Sequence, residues 1–193
     1  MSETQAKIQR NYPRALTLDN HTAVNLRLMV PADTYRLVTF ARSLPEDDLL
    51  FLRMDITKLQ VVTQWGQNIK DGRTVTVLAE ASSGVAGYAS LHHNEVTWQR
   101  HLGEIRIQVG PRYRSQGLGR ALAGEVFAIA PGLGLRKIVA QMTPDQQGAI
   151  ATFERLGFRV EARLQDFVID RAGHTRDLIV MSYEVTSLTE RVG

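Results

Sequence analysis

Apolar residues recur along this chain with two periods, and the points where one gives way to the other mark its elements. In "AVNLRLMV" they alternate, placing Val24, Leu26 and Leu28 on one face, which predicts a strand. Pro31 then stands at a first helical turn, where its fixed φ and missing N–H do no harm, and a helix is expected through about Arg42. "LPEDDLLFLRM" and "TKLQVVTQWGQNI" read as two further helical pieces. Asp71-Gly72 reads as a hairpin-type turn into the strand "TVTVLAE", and Ser82, Ser83 and Gly84 turn the chain into "VAGYASLHH". The alternating run "EIRIQV" leads to a glycine-rich junction and a helix that Pro131-Gly132 stops near Ala130. "KIVAQM" has the look of a buried strand, and "DQQGAIATFERL" is a helix closed by Gly157. "FRVEARLQDFVIDRAGHTRDLIVMSY" is a long hairpin turning near Ala172-Gly173.

The order β, helices, βββ, α, β, α, ββ predicts one α/β domain on a mixed sheet. Residues 1–20 lack either period and carry Lys7, Arg10 and Arg14, so they are read as an arm that packing could order, 21–185 as the domain and 186–193 as a tail. A length of 193 residues suits this, and 44% apolar with 22% charged residues is close to the average for a packed globular chain. The absence of cysteine excludes disulfides and thiolate zinc sites. No apolar run reaches the length of a membrane span, and "MSETQAKIQR" has no signal-peptide core, so a soluble, cytoplasmic protein is expected. A formal charge of +3 suits a small anionic ligand; with no platform of interleaved aromatics, it argues little for nucleic acid.

The junction "RSQGLGRAL", residues 114–122, carries the most chemistry. A helix start leaves about four backbone N–H groups without intrahelical partners and bears partial positive charge, which makes it an anion site. Gly117 and Gly119 permit tight curvature and close approach of a ligand, and Arg114 and Arg120 can add charge-assisted contacts to phosphate. The P-loop pattern is absent, and the dinucleotide fingerprint fails where Leu122 replaces its third glycine. Taken by itself, the stretch could also be no more than a glycine-rich turn that begins a helix.

Arg114-Ser115-Gln116-Gly117-Leu118-Gly119 matches the R/Q-x-x-G-x-G/A signature, and "QGAIATFERLGF" is similar to an N-x-x-A-x-x-x-Y-x-x-x-G-F segment. In both, and in element order over roughly residues 22–184, the chain resembles the GNAT superfamily of acyl-CoA-dependent N-acyltransferases. The resemblance implies a GNAT-like α/β fold, with a mixed, mostly antiparallel central sheet flanked by helices. It implies acetyl-CoA as co-substrate, no metal, and a primary amine as acceptor. No membrane partner is implied, and a homodimer is compatible with it. Main-chain groups at Ile107, Gln108 and Val109 would then bind the pantetheine arm on a splayed strand edge, a place that Gly110-Pro111 suits. The amides of Ser115, Gln116, Gly117, Leu118, Gly119 and Arg120 would hold the pyrophosphate. The family's asparagine corresponds to Gln146 and its tyrosine to Phe153, which has no proton to give.

Acylating an amine requires a deprotonated nucleophile, and an alkylammonium near pKa 10 needs a base at neutral pH. Glu104 is the candidate, because several family members carry a catalytic glutamate at the start of this strand. Alternation puts Glu104, Arg106 and Gln108 on one face and Ile105, Ile107 and Val109 on the other. Glu104 could instead only pair with Arg106, since a close arginine keeps a carboxylate ionised and weakly basic. A backbone N–H near Val109 would polarise the thioester carbonyl. The proton donor is unassigned, with Tyr113 and Tyr183 as candidates. His92 and His93 point to opposite faces and form no metal pair, although one could line the acceptor cleft. Asp166, Asp170 and Asp177 could draw a cationic acceptor or lie on a solvated face; Trp65 and Trp98 read as packing residues, with Trp98 placed to meet a partner if exposed on its loop. "LPEDDLLFLRM" resembles protein-lysine acetyltransferases, and the terminal hairpin resembles small-amine and amino-acid acetyltransferases. The alternative function is a catalytically silent acyl-CoA-binding module.

Overall fold

The architecture follows from which strand faces are apolar. The structure, a computed structural model, describes residues 8, 11–49, 52, 54–95, 97–170 and 173–185. Its strands are β1 (Arg14–Thr17), β2 (Ala23–Leu28), β3 (Thr74–Ala81), β4 (Gly84–His93), β5 (Leu102–Val109), β6 (Lys137–Met142), β7 (Arg159–Ile169) and β8 (Thr175–Glu184). They form one sheet in the order β1-β2-β3-β4-β5-β6-β8-β7. Every neighbouring pair is antiparallel except β5 and β6. The expected GNAT-like α/β sheet is thus the observed one.

The helices are α1 (Thr34–Arg42), the single turn α2 (Glu46–Leu49), α3 (Leu59–Lys70), α4 (Leu118–Ile129) and α5 (Gln147–Arg155). Strand β3 is buried on both sides, so its alternate residues feed two cores. On one face Val75, Val77 and Ala79 join Leu122 and Val126 of α4 and Phe153 of α5. On the other, Leu78 and Tyr88 pack under Leu37 and Phe40 of α1 and Val62 and Trp65 of α3. Trp65 places its indole N–H on Thr76 Oγ1 at 3.0 Å, so its polar atom is satisfied inside that core. A charge cluster ties the entry of α1 to the sheet: Arg27 donates to both oxygens of Asp33 and both of Glu80 at 2.6–2.8 Å.

One expectation gains detail and another changes. The arm contains a strand, because residues 14–17 pair with β2 from Arg14↔Leu26 to Thr17↔Ala23. Four residues are too few to show a period, and the pairing is fastened from outside the strand. The carboxylate of Glu125, 3% exposed on α4, accepts from Arg14 at 2.5 Å and from the Tyr12 hydroxyl at 2.8 Å. Asp71-Gly72 closes α3 rather than joining two strands; Gly72 has φ 72°, the left-handed conformation that helix ends and hairpin turns both require. Lys7, Arg10, Ala172 and the tail 186–193 lie outside the described residues.

Candidate active site

Strands β5 and β6 pair only through Leu102↔Lys137, Gly103↔Ile138 and Glu104↔Val139. Beyond Glu104 they part, while β5 stays paired with β4 as far as Gly87↔Val109. The Gly110 N–H donates to Ala86 O at 2.9 Å, which fixes the alternation along β5. The N–H and C=O groups of Ile107 and Val109 therefore turn into the gap, as does the C=O of Ile105, whose N–H closes the last rung to Val139 of β6, and those of Gln108 turn to β4. Of the three residues expected to offer main-chain groups, Ile107 and Val109 turn theirs to the opening, whereas Gln108 borders the cavity with its main-chain groups directed to β4.

The gap opens into a cavity of about 1050 Å³ lined by Ile107, Gln108 and Val109 from β5 and by Gly117, Gly119 and Arg120 from the start of α4. Gly117 caps α4 with φ 82°, and Ser115 has φ 57°. Left-handed residues of this kind turn successive amides toward one side, where an anion can sit. A Cβ added to Gly119 would rest 3.7 Å from Val109 Cγ2, an ordinary contact, so packing does not demand glycine there. Its bareness leaves the helix start open to the cavity instead. Leu118 is fully buried in the core and contributes no side chain to the cavity. Gln116 turns its amide N–H to Arg112 O at 2.9 Å and does not line the cavity either.

Arg114 borders the cavity but its side chain is engaged: Nε donates to Val109 O at 3.1 Å, and a terminal nitrogen pairs with Asp48 of α2. That partner, 66 residues away in sequence, had no signature in the chain pattern. Gln146 caps α5 and lines the cavity, with its Oε1 accepting from the Thr143 N–H at 3.1 Å. Phe153 also lines it, 8% exposed and edge-on to Phe158 at 4.9 Å. Thr152 and Arg155 join them, residues that the helical spacing of α5 could have indicated.

Glu104 occupies the vertex where the two strands part. It points to the face opposite Ile107 and Val109, does not line the large cavity, and accepts from Arg106 Nε at 3.0 Å. Below this pair, Tyr88 is buried against Trp65 and Phe40, and burial pushes its phenol well above the usual range against the pull of the Arg106 charge. His92 faces Glu104 across the strands, its ring nitrogens bonded to Thr74 Oγ1 at 3.0 Å and Ser90 Oγ at 2.8 Å. Tyr113 lines the cavity and bonds Ser83 Oγ at 2.7 Å, whereas Tyr183 stacks on Phe127 at 4.6 Å. The hairpin aspartates meet the hairpin itself: Asp177 pairs with Arg163, Asp170 with Arg176, and Asp166 with Thr175. Trp98 is 85% exposed.

Residues 40–158 match the model of the acetyltransferase (GNAT) family. The chain belongs to that family. Among its relatives is an L-amino acid N-acyltransferase of Escherichia coli, 29% identical over 119 residues. That match spans 59% of this chain and 66% of the relative, just short of two-thirds of its length. A GNAT-family acetyltransferase structure from Streptococcus pneumoniae superposes with TM-score 0.73 at 22% identity, covering 84% of this chain and 99% of that one. A Salmonella typhimurium protein solved with acetyl-CoA gives TM-score 0.73 at 20% identity, covering 85% and 95%. Acetyl-CoA is the acyl donor of the GNAT family. Among the described residues no group of three or more His, Cys, Asp or Glu is placed to hold a metal ion. None of their helices is long and apolar enough to cross a membrane.

Proposed function

We propose that this GNAT acetyltransferase moves an acetyl group from acetyl-CoA to the primary amine of an amino acid or a related small molecule, with Glu104 as general base. One observation carries the reading: β5 and β6 part directly after Glu104, so the cavity on one face and the carboxylate on the other meet at one vertex. The cavity fits the donor. The open edge at Ile107 and Val109 offers main-chain groups for the amides of the pantetheine arm, and the bare, left-handed start of α4 offers N–H groups for the pyrophosphate. The Val109 N–H, turned into the gap, is the donor available to a thioester carbonyl. Across the vertex, Glu104 accepts a proton from the incoming ammonium, directly or through water, so that the neutral amine attacks. The E. coli relative's name supports an amino acid as acceptor.

Phe153 supports the second reading, a silent acyl-CoA-binding module, because the residue at the family's tyrosine position has no proton to donate. Thiolate is a stable enough leaving group for a dedicated acid to be dispensable. The test is coenzyme A thermal shift together with free-thiol release from acetyl-CoA over a panel of amino acids, amines and peptides. A shift with amine-dependent thiol release is expected. A shift with no release on any acceptor would favour the silent module, and no shift would sink both.

A further inference from the structure

The geometry points to Arg106 as the anchor for a carboxylate on the acceptor, which would make the preferred substrate an α-amino acid rather than a simple amine. The inference rests on the acyl-transfer reading above and names the substrate class for the same vertex. Glu104 and Arg106 are two residues apart on β5, so they share a face with Cα atoms roughly 6.6 Å apart. Their side chains are 22% and 25% exposed, which leaves both largely desolvated but reachable. Arg106 uses Nε on Glu104, and among the described residues its two terminal nitrogens make no hydrogen bond. A guanidinium held this way presents its open fork, and the planar, bidentate partner for a fork is a carboxylate.

The surroundings strengthen that preference. The floor beside Arg106 is Tyr88, 2% exposed, with Trp65 and Phe40 edge-on to its ring. An apolar floor raises the strength of an ion pair above it and the cost of leaving the cation without one. An α-amino acid carries its cation and anion on the same carbon. Glu104 and Arg106 offer an anion and a cation side by side at the vertex, so one small zwitterion can meet both. Its amine then lies at the base, and its carboxylate lies on the fork. A decarboxylated amine leaves the fork empty, and so does a lysine side chain in a protein.

The experiment compares each standard amino acid with the amine that remains when its α-carboxylate is removed. Acetyl transfer from acetyl-CoA is measured in the wild type, Arg106→Gln and Arg106→Lys. For the preferred side chain, kcat/KM in the wild type should favour the amino acid roughly 10- to 100-fold, the worth of a charge-assisted contact, and mainly through KM. The ratio should collapse toward one in Arg106→Gln and fall between in Arg106→Lys, whatever the absolute rates. A ratio near one in the wild type, or one that Arg106→Gln leaves unchanged, would overturn the assignment while leaving the transfer reading intact. A parallel arm needs no turnover: melting temperature of the coenzyme A complex with each pair. Stabilisation by the amino acid alone, lost in Arg106→Gln, would support the anchor even if no acceptor were acetylated, and equal stabilisation by both members would overturn it.

Discussion

Gly119→Ala should raise the stability of the free protein and weaken its response to coenzyme A, two effects of opposite sign from one methyl group. Gly119 is the second residue of α4, and its φ is not in the left-handed region. The new Cβ would stand in ordinary contact 3.7 Å from Val109 Cγ2, so nothing must move. Replacing glycine at such a place stabilises by about 0.4–1 kcal/mol, mostly by restricting the unfolded chain. For a domain of this size that is about 1–4 °C in Tm. The same methyl stands at the mouth of the proposed anion site. Coenzyme A at a hundred times its Kd contributes about 2.7 kcal/mol, or about 5–11 °C. If the methyl raises Kd tenfold, the contribution falls to about 1.4 kcal/mol, or about 3–6 °C, at the same concentration. Differential scanning fluorimetry with and without coenzyme A measures both quantities on one preparation. Gly117→Ala cannot serve, because φ 82° costs an L-residue about 1–2 kcal/mol before any ligand is added. A more stable Gly119→Ala protein with an undiminished coenzyme A shift would show that the start of α4 does not touch the donor.

Other expectations follow from the vertex, the cavity and the charge cluster. Glu104→Gln should keep the coenzyme A shift and lose roughly 10²- to 10⁴-fold in turnover at neutral pH, with the deficit shrinking as pH approaches the amine's own pKa; full neutral-pH activity would remove Glu104 as base. Phe153→Tyr should cost about 1–3 kcal/mol in the free protein if the hydroxyl finds no partner, and less once acetyl-CoA supplies one. A loss that acetyl-CoA does not rescue would show that Phe153 does not face the sulfur. Burial opposes ionisation of Asp33, but hydrogen bonds from Arg27 prevail and hold it below the ordinary range, and Arg27 lowers Glu80 likewise. Lowered folded values mean stability that is complete above the unfolded carboxylate range and lost as pH falls through the folded pKa. The melting temperature should therefore hold from neutral pH to about 5 and drop below about 4, with a shallower drop in Asp33→Asn. An identical acid limb in that variant would place the acid sensitivity elsewhere.

The elements with several turns of one period were legible: β3, β4, β5 and the helices α3, α4 and α5 lie where their apolar spacing put them. What escaped was what spacing does not encode. β1 is held by Glu125, more than a hundred residues away, and its four residues carry no period of their own. Asp71-Gly72 announced a left-handed residue correctly, but that conformation serves helix ends and hairpins alike. The candidate site divided in the same way. Gly117, Gly119 and Phe153, singled out by the motifs, border one cavity. The main chain of Gln108 turned to β4 because the hydrogen-bonding phase of a strand depends on its partner, and Arg114 met Asp48 from a different part of the chain.

The brief contact between β5 and β6 has a mechanical consequence. Three residue pairs are a narrow joint between a five-stranded plate, β1 to β5, and a three-stranded plate, β6, β8 and β7. A donor lying along the open edge of β5 would act as a splint, supplying rungs that the polypeptide omits. Amide protons at Ile107 and Val109 should exchange quickly with deuterium in the free protein and slowly once coenzyme A is bound, whereas that of Gln108 should be slow in both. The two plates would then vibrate as one body only after the donor arrives, so the acceptor face is stiffest when there is an acetyl group to receive.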